Sequence, residues 1–309
     1  MLNTMNPARL FIPLAALALL APTCKLTPAN APDIRSIAPD LTIPPLSTAH
    51  PPTAGKRVRQ THPQYANKAV YHTLYLPVDW QPDRQYPVIV EFTGNGGYKN
   101  KYGDTCSGRV EDSKLGYGLS AGSGYIWLCL PYLNESGTAN VTKWWGDKPS
   151  YRPAQTVAYA KTIVPWICSQ FGGDPDHVIL AGFSRGSIAC NYIGLHDDEI
   201  AQLWRAFIPY SVYDGVRTQW PYPEADRASA IKRLNRLQGR PQFILDEVST
   251  PDSPLRLDAT REYLRSTGVP GNFTFASTGF RNHNDAWVLR PSSARSKLRR
   301  WLHRQAPPP

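Results

Sequence analysis

Residues 177–195, with the sequence HVILAGFSRGSIACNYIGL, constrain the fold of this chain more than any other segment. The segment begins with the apolar run of a buried strand and ends with apolar residues at helical spacing. Ser184 stands between the two, with Gly182 and Gly186 two residues to either side. Glycine at both places lets a helix pass close to the preceding strand. We therefore predict a strand, a sharp turn that exposes Ser184, and a helix.

The G-x-S-x-G pattern predicts a nucleophile at Ser184. The turn lifts the hydroxyl off the sheet, and the backbone N–H of Arg185 points to where negative charge develops on a carbonyl under attack. The pattern is short enough to occur by chance, and a serine that caps a helix is the alternative. The strand before the serine and the helix after it favour the nucleophile.

On this strand–turn–helix motif, the sequence resembles the α/β-hydrolase superfamily over about residues 85–304. Within the superfamily it is similar to serine esterases of the esterase D, feruloyl esterase and polyhydroxybutyrate depolymerase-like group. The resemblance implies an α/β-hydrolase fold, with a base and an acid that follow the nucleophile in the chain.

The order of strand and helix patterns independently favours an α/β fold. Strand patterns lie at 70–77, 87–93, 125–130, 178–181, 204–210, 242–245 and 273–276, and helical patterns at 156–171 and 226–237. Strands that alternate with helices at these lengths predict a mainly parallel central sheet with helices on both faces.

A glycine-rich turn, Gly94-Asn95-Gly96-Gly97, directly follows the strand pattern at 87–93. A backbone N–H approaches a substrate most closely where no side chain intervenes, so this turn suits a second oxyanion donor. α/β-Hydrolases often have His-Gly-X or a run of glycines here. The resemblance implies the Asn95 N–H as the donor beside that of Arg185, with Gly94 or Gly96 as alternatives and a plain turn as the other interpretation.

A serine nucleophile needs a base, usually histidine, that is oriented by a carboxylate. His283 lies in the polar loop 279–287, after the strand pattern at 273–276 and before a final helix that we predict around the basic residues of 295–304. The superfamily has its base on the loop after the last strand, so position and residue type agree; a surface-loop histidine is the alternative. The other six histidines lie in poorer positions: His50, His62, His72, His177, His196 and His303.

The resemblance places the acid in the turn after the strand pattern at 242–245. Relatives of esterase D and the feruloyl esterases carry an aspartate late in this turn, just ahead of a helix, which corresponds to Asp252. Asp246 and Glu247 are the rivals. The chain order Ser184, Asp252, His283 is that of the α/β-hydrolases.

The N-terminus predicts export. The apolar run at 10–21 follows Arg9 and has the length of a signal-peptide core, short for a membrane span. We predict a signal peptide at 1–31, a Pro-rich flexible tether at 32–68 and a catalytic domain at 69–309, in a secreted or periplasmic protein. A lipid-modified Cys24 and a retained hydrophobic anchor are alternatives.

The formal net charge is +10. A basic exported protein suits contact with an anionic surface or glycan, whereas scattered basic residues without a reading motif argue against nucleic acid. The loop carboxylates Asp104, Glu111 and Asp112 are expected to be solvated. Four cysteines besides Cys24 permit two disulfides or serve as buried apolar thiols: Cys106, Cys129, Cys168 and Cys190.

The sequence thus predicts an exported serine hydrolase that cleaves carboxylic esters through Ser184, His283 and Asp252, without a cofactor. The predicted substrate is a small-molecule or polysaccharide ester, with acetyl and feruloyl esters favoured by export, basic charge and the loop aromatics Trp144 and Trp145. The alternatives are a prolyl-type serine exopeptidase and a catalytically silent module of this fold that binds anionic glycan.

Overall fold

The computed structural model describes residues 1, 26–249, 253 and 256–309. Seven α-helices lie in this part of the chain: α1 Leu115–Ser120, α2 Ala154–Phe171, α3 Arg185–Tyr192, α4 Asp198–Ala201, α5 Arg227–Leu234, α6 Leu257–Thr267 and α7 Ser293–Gln305.

Nine of the described strands form one central sheet. In spatial order they are β1 Leu46–Ser47, β2 Arg57–Gln60, β3 His72–Tyr75, β7 Ile126–Leu130, β4 Tyr86–Phe92, β10 Gly173–Phe183, β11 Ala206–Tyr210, β12 Pro241–Asp246 and β13 Asn272–Ser277. Two small hairpins lie outside this sheet, β5 Tyr98–Lys99 with β6 Thr105–Cys106 and β8 Tyr132–Leu133 with β9 Asn140–Val141.

Six neighbouring strands of the sheet, from β7 to β13, run parallel, whereas β3 is antiparallel to both β2 and β7. Every strand pattern in the sequence corresponds to one of these strands, and helices cover both faces of the sheet. The predicted α/β-hydrolase fold class is therefore confirmed.

The sheet is buried on both faces because successive side chains of a strand point in opposite directions. In β4, Val88 and Val90 join a core that includes residues of α2, α3, α5 and α6. Ile89, between them, joins a second core with residues of α1 and α7. Because both faces of these strands are buried, their sequences are nearly continuous apolar runs.

The segment 32–68 differs from the predicted flexible tether. Its strand β2 belongs to the central sheet, and Val58 of this strand is buried. Ile34 is also buried, and Asp40 forms an ion pair with Arg295 of α7. Prolines prevent long helices here, but the few apolar residues between them are enough to pack the segment onto the domain.

The predicted signal peptide lies mostly outside the described residues, as does Cys24. Within the described ranges, no helix combines the length and apolar character needed to cross a membrane. Cys106, Cys129, Cys168 and Cys190 are free thiols, and Cys129 lies 2.7 Å from the Ser113 hydroxyl. Of the two interpretations of these four cysteines, the structure supports free thiols and not disulfides.

Candidate active site

Five residues that bear on the chemistry follow the carboxyl ends of parallel strands. Asn95 comes after β4, Ser184 after β10, Ser211 after β11, Glu247 after β12 and His283 after β13. The carboxyl ends of parallel strands meet at one edge of a sheet, which is where open α/β sheets place their binding sites. The topology thus collects these five residues.

Ser184 occupies a strained turn between β10 and α3. Its φ of 55° and ψ of −111° lie outside the regions that non-glycine residues readily adopt. A Cβ on Gly182 would lie 2.0 Å from the Gly186 carbonyl oxygen, and one on Gly186 would lie 1.9 Å from that of Phe92. Only glycine fits at either position, and the close packing around them holds the serine in place.

The structure brings Ser184 and His283 into contact. His283 Nε2 lies 2.9 Å from Ser184 Oγ. The imidazole sits between two aromatic rings, with centroids 4.7 Å from Tyr98 and 4.8 Å from Phe183. These rings restrict the orientation of the imidazole toward the serine.

Among the described residues, the carboxylate in contact with the His283 imidazole is Glu247, whose Oε1 lies 2.8 Å from Nδ1. Asp252, predicted as the acid, lies outside the described residues. Burial alone would raise the pKa of Glu247, but the charge of His283 and its hydrogen bond outweigh burial and lower it. Burial, and then the negative charge of Glu247, raise the pKa of the neighbouring Asp246 well above its usual range. The pair therefore carries its negative charge on Glu247.

Two residues that the sequence analysis did not single out as site residues also fix His283. Ser211 Oγ lies 2.9 Å from Nδ1, on the same side as Glu247. The Asp104 carboxylate accepts hydrogen bonds from the His283 backbone N–H at 3.1 Å and the Asn282 amide at 2.9 Å. Asp104 is only 1% exposed, so the expectation of a solvated loop carboxylate is wrong for this residue. Ser211 could have been identified as a candidate site residue from the sequence, since it directly follows the strand pattern at 204–210.

Asn95 and Arg185 both line a cavity beside Ser184. Asn95 Oδ1 accepts a hydrogen bond from the Trp144 N–H at 2.8 Å. The Asn95 backbone N–H donates to no acceptor among the described residues. The Arg185 N–H belongs to the first turn of α3, where backbone donors have no partner within the helix. Two backbone donors are thus available at the cavity.

The cavity has a volume of about 390 Å³. Its apolar wall consists of Trp144, Ile188, Val212 and Trp220. Trp145, by contrast, is fully buried and stacks on Tyr192, so only the first tryptophan of the pair borders the cavity. A larger cavity of about 590 Å³ near residues 43–46 and 105–114 contains no serine–histidine contact of this kind.

Among the described residues, no three His, Cys, Asp or Glu side chains cluster closely enough to hold a metal ion.

No protein-family model matches the chain, and no curated protein matches it either. Solved structures do. An S-formylglutathione hydrolase from Agrobacterium tumefaciens is 12% identical with a TM-score of 0.53, over 81% of this chain and 94% of that one. A sugar hydrolase from Lactococcus lactis is 16% identical with a TM-score of 0.53, over 81% and 98%. A fungal esterase from Rhizomucor miehei is 12% identical with a TM-score of 0.52, over 81% and 82%.

Other matching structures are longer proteins. The chain spans 62% of a thermostable esterase and 33% of dipeptidyl peptidase 4 from Porphyromonas gingivalis, less than two thirds of either. At these identities the likeness shows a shared fold, and the function has to be argued from the site itself.

Proposed function

The chain has the α/β-hydrolase fold, and on that premise we propose that it is a serine hydrolase that cleaves carboxylic esters. One observation carries the proposal: Ser184, His283 and Glu247 form a continuous hydrogen-bonded series on the wall of a cavity. A nucleophile bonded to a base that is oriented by an acid is the arrangement that activates a serine hydroxyl.

In the proposed mechanism, His283 Nε2 takes the Ser184 proton as Oγ attacks the ester carbonyl. The Nδ1–H of His283 donates a hydrogen bond to Glu247 throughout, and the negative charge of Glu247 stabilises the imidazolium that forms. The Asn95 and Arg185 backbone N–H groups donate to the oxyanion. His283 returns the proton to the departing alcohol, and water repeats the sequence on the acyl-enzyme without a cofactor.

We assign the role of the acid to Glu247 and not to Asp252, because Glu247 is the carboxylate that contacts the imidazole in the described part of the chain. The Glu247→Gln variant is expected to lower kcat/KM for p-nitrophenyl acetate by about 10³-fold, since the neutral amide cannot stabilise the imidazolium. The matched variant Asp252→Asn is expected to stay within about threefold of wild type. The reverse ranking in steady-state kinetics would return the acid role to Asp252.

The proposed substrate is an acetyl or feruloyl ester on a polysaccharide, or a small ester of similar size. A cavity of about 390 Å³ with an aromatic wall has room for a short acyl group or one phenolic ring. The net charge of +10 suits contact with an anionic glycan, and the apolar N-terminal run supports export.

A panel of p-nitrophenyl esters of graded chain length, with methyl ferulate and acetylated xylan, tests this proposal. Wild type is expected to hydrolyse the acetate or the ferulate with a kcat/KM at least about tenfold above that for the dodecanoate, because a long chain exceeds the cavity. A preference for the dodecanoate would refute the substrate class. Hydrolysis of none of these esters by folded protein would refute the esterase.

A further inference from the structure

The side chain of Arg185 is buried, and it has no counter-ion in the part of the chain that the structure describes. It is 1% exposed, and none of the ion pairs among the described residues includes it. The guanidinium lies over the Tyr132 ring, 3.8 Å from the centroid. Burying an unpaired charge is costly, and burial accordingly lowers the pKa of Arg185. Its hydrogen bonds must offset that cost.

These hydrogen bonds go to oxygens of the turn after β4, to the Trp144 carbonyl in the loop after β9 and to the Gly108 carbonyl. Nη2 donates to the Gly94 carbonyl at 2.8 Å and to the Thr93 hydroxyl at 3.2 Å. Nη1 donates to the Trp144 carbonyl. A planar guanidinium can hold two separate loops in a fixed relation because its donors have fixed directions. Arg185 therefore joins the turn after β4 to the loop after β9.

The Gly94 carbonyl and the Asn95 N–H belong to the same peptide unit. In a trans peptide the two groups point in opposite directions, so the bond from Arg185 to Gly94 O directs the Asn95 N–H away from the guanidinium. Asn95 Oδ1 accepts from the Trp144 N–H, and the Trp144 carbonyl accepts from Arg185. Together with the Gly94–Asn95 peptide, Trp144 and Arg185 form a closed ring of hydrogen bonds.

We propose that the Arg185 side chain is a positioning residue that fixes the Gly94–Asn95 peptide so that its N–H donates to the oxyanion. Arg185 then acts twice, through its own backbone N–H and through its guanidinium. Donation to the Gly94 carbonyl also polarises the peptide and strengthens the Asn95 N–H as a donor. This inference rests on the proposed esterase function.

The variant Arg185→Lys keeps the backbone N–H and the positive charge but cannot bridge Gly94 and Trp144 as a planar fork does. It is expected to lower kcat for p-nitrophenyl acetate by about 10- to 100-fold and to change KM by less than about threefold, because a misdirected oxyanion donor acts only in the transition state. Inhibition by a trifluoromethyl ketone is expected to weaken by the same factor as kcat. In that adduct Ser184 Oγ bonds to the ketone carbon, its proton passes to His283, and the carbonyl oxygen becomes the bound oxyanion.

Two further variants separate positioning from folding. Asn95→Ala leaves Arg185 and the residue 95 N–H in place but releases the turn from Trp144, and it is expected to lower kcat by about 3- to 10-fold. Arg240→Lys is the matched control, because Arg240 also donates to backbone carbonyls, those of Trp204 and Leu237, and lies over the Phe207 ring. It is expected to lower the Tm while kcat stays within about twofold.

The positioning role is wrong if folded Arg185→Lys keeps kcat and ketone inhibition within threefold of wild type while Ser184→Ala is inactive; the proposed function then stands. If Arg185→Lys does not fold, Arg185→Met takes its place, because it removes every guanidinium donor together with the buried charge; an unchanged kcat in that variant overturns the role instead. If wild type neither hydrolyses esters nor binds the ketone, the proposed function fails first.

Discussion

The His283→Ala variant is expected to lower kcat/KM for ester hydrolysis by about 10⁵-fold, because it removes the group that takes the Ser184 proton and returns it to the leaving alcohol. His283 Nε2 lies 2.9 Å from Ser184 Oγ, and Asp104, Glu247 and Ser211 all hold the residue in that position. No other histidine contacts Ser184 among the described residues. Steady-state kinetics on p-nitrophenyl acetate, corrected for the folded fraction, measure the loss.

His196→Ala is the matched control for this variant. His196 follows α3 and lies beside Tyr192, with ring centroids 6.4 Å apart, and it makes no contact with Ser184. Its activity is expected to stay within about threefold of wild type. Equal losses in the two histidine variants would remove His283 as the base.

The Ser184→Ala variant is expected to lose about 10⁵-fold or more in kcat, with the backbone donors giving the residual rate. Alanine retains the Cβ and therefore fits the same turn, at φ 55°, between Gly182 and Gly186. We therefore expect the Ser184→Ala variant to lose activity and to keep the stability of wild type. Circular dichroism and urea unfolding check the fold, and product release by the purified variant checks the rate.

Turnover by Ser184→Ala at more than a few per cent of the wild-type rate would contradict this expectation. It would place the nucleophile elsewhere, because a methyl group cannot attack a carbonyl carbon.

The strand, turn and helix around Ser184 could be predicted because their signal is local. An apolar run, two glycines and a helical period lie within nineteen consecutive residues. The segment 32–68 shows the opposite case. Its proline content predicts an extended tether, but burial of Ile34 and Val58 depends on surfaces of β3, α7 and the 281–290 segment that composition does not reveal.

Chain order singles out one histidine as the candidate base, and His283 contacts Ser184 in the structure, whereas the sequence leaves three candidate acids open. Asp246 and Glu247 are adjacent at the end of β12, and adjacent residues of a strand point in opposite directions. Which of them faces the imidazole depends on the register of β12 with its neighbours. The burial of the Arg185 side chain could not be predicted either, because its acceptors lie at residues 93, 94, 108 and 144 and come together only in the folded chain.

The most direct test of an activated serine in this protein is covalent labelling of folded wild type with a fluorophosphonate, followed by peptide mass spectrometry. We predict one adduct per chain, located on Ser184, that does not form when the protein is unfolded in urea before labelling and that forms far more slowly in His283→Ala. An adduct on a different residue would contradict the Ser184–His283–Glu247 assignment. A folded protein that is not labelled at all would also contradict it, and would support the catalytically silent module that binds glycan.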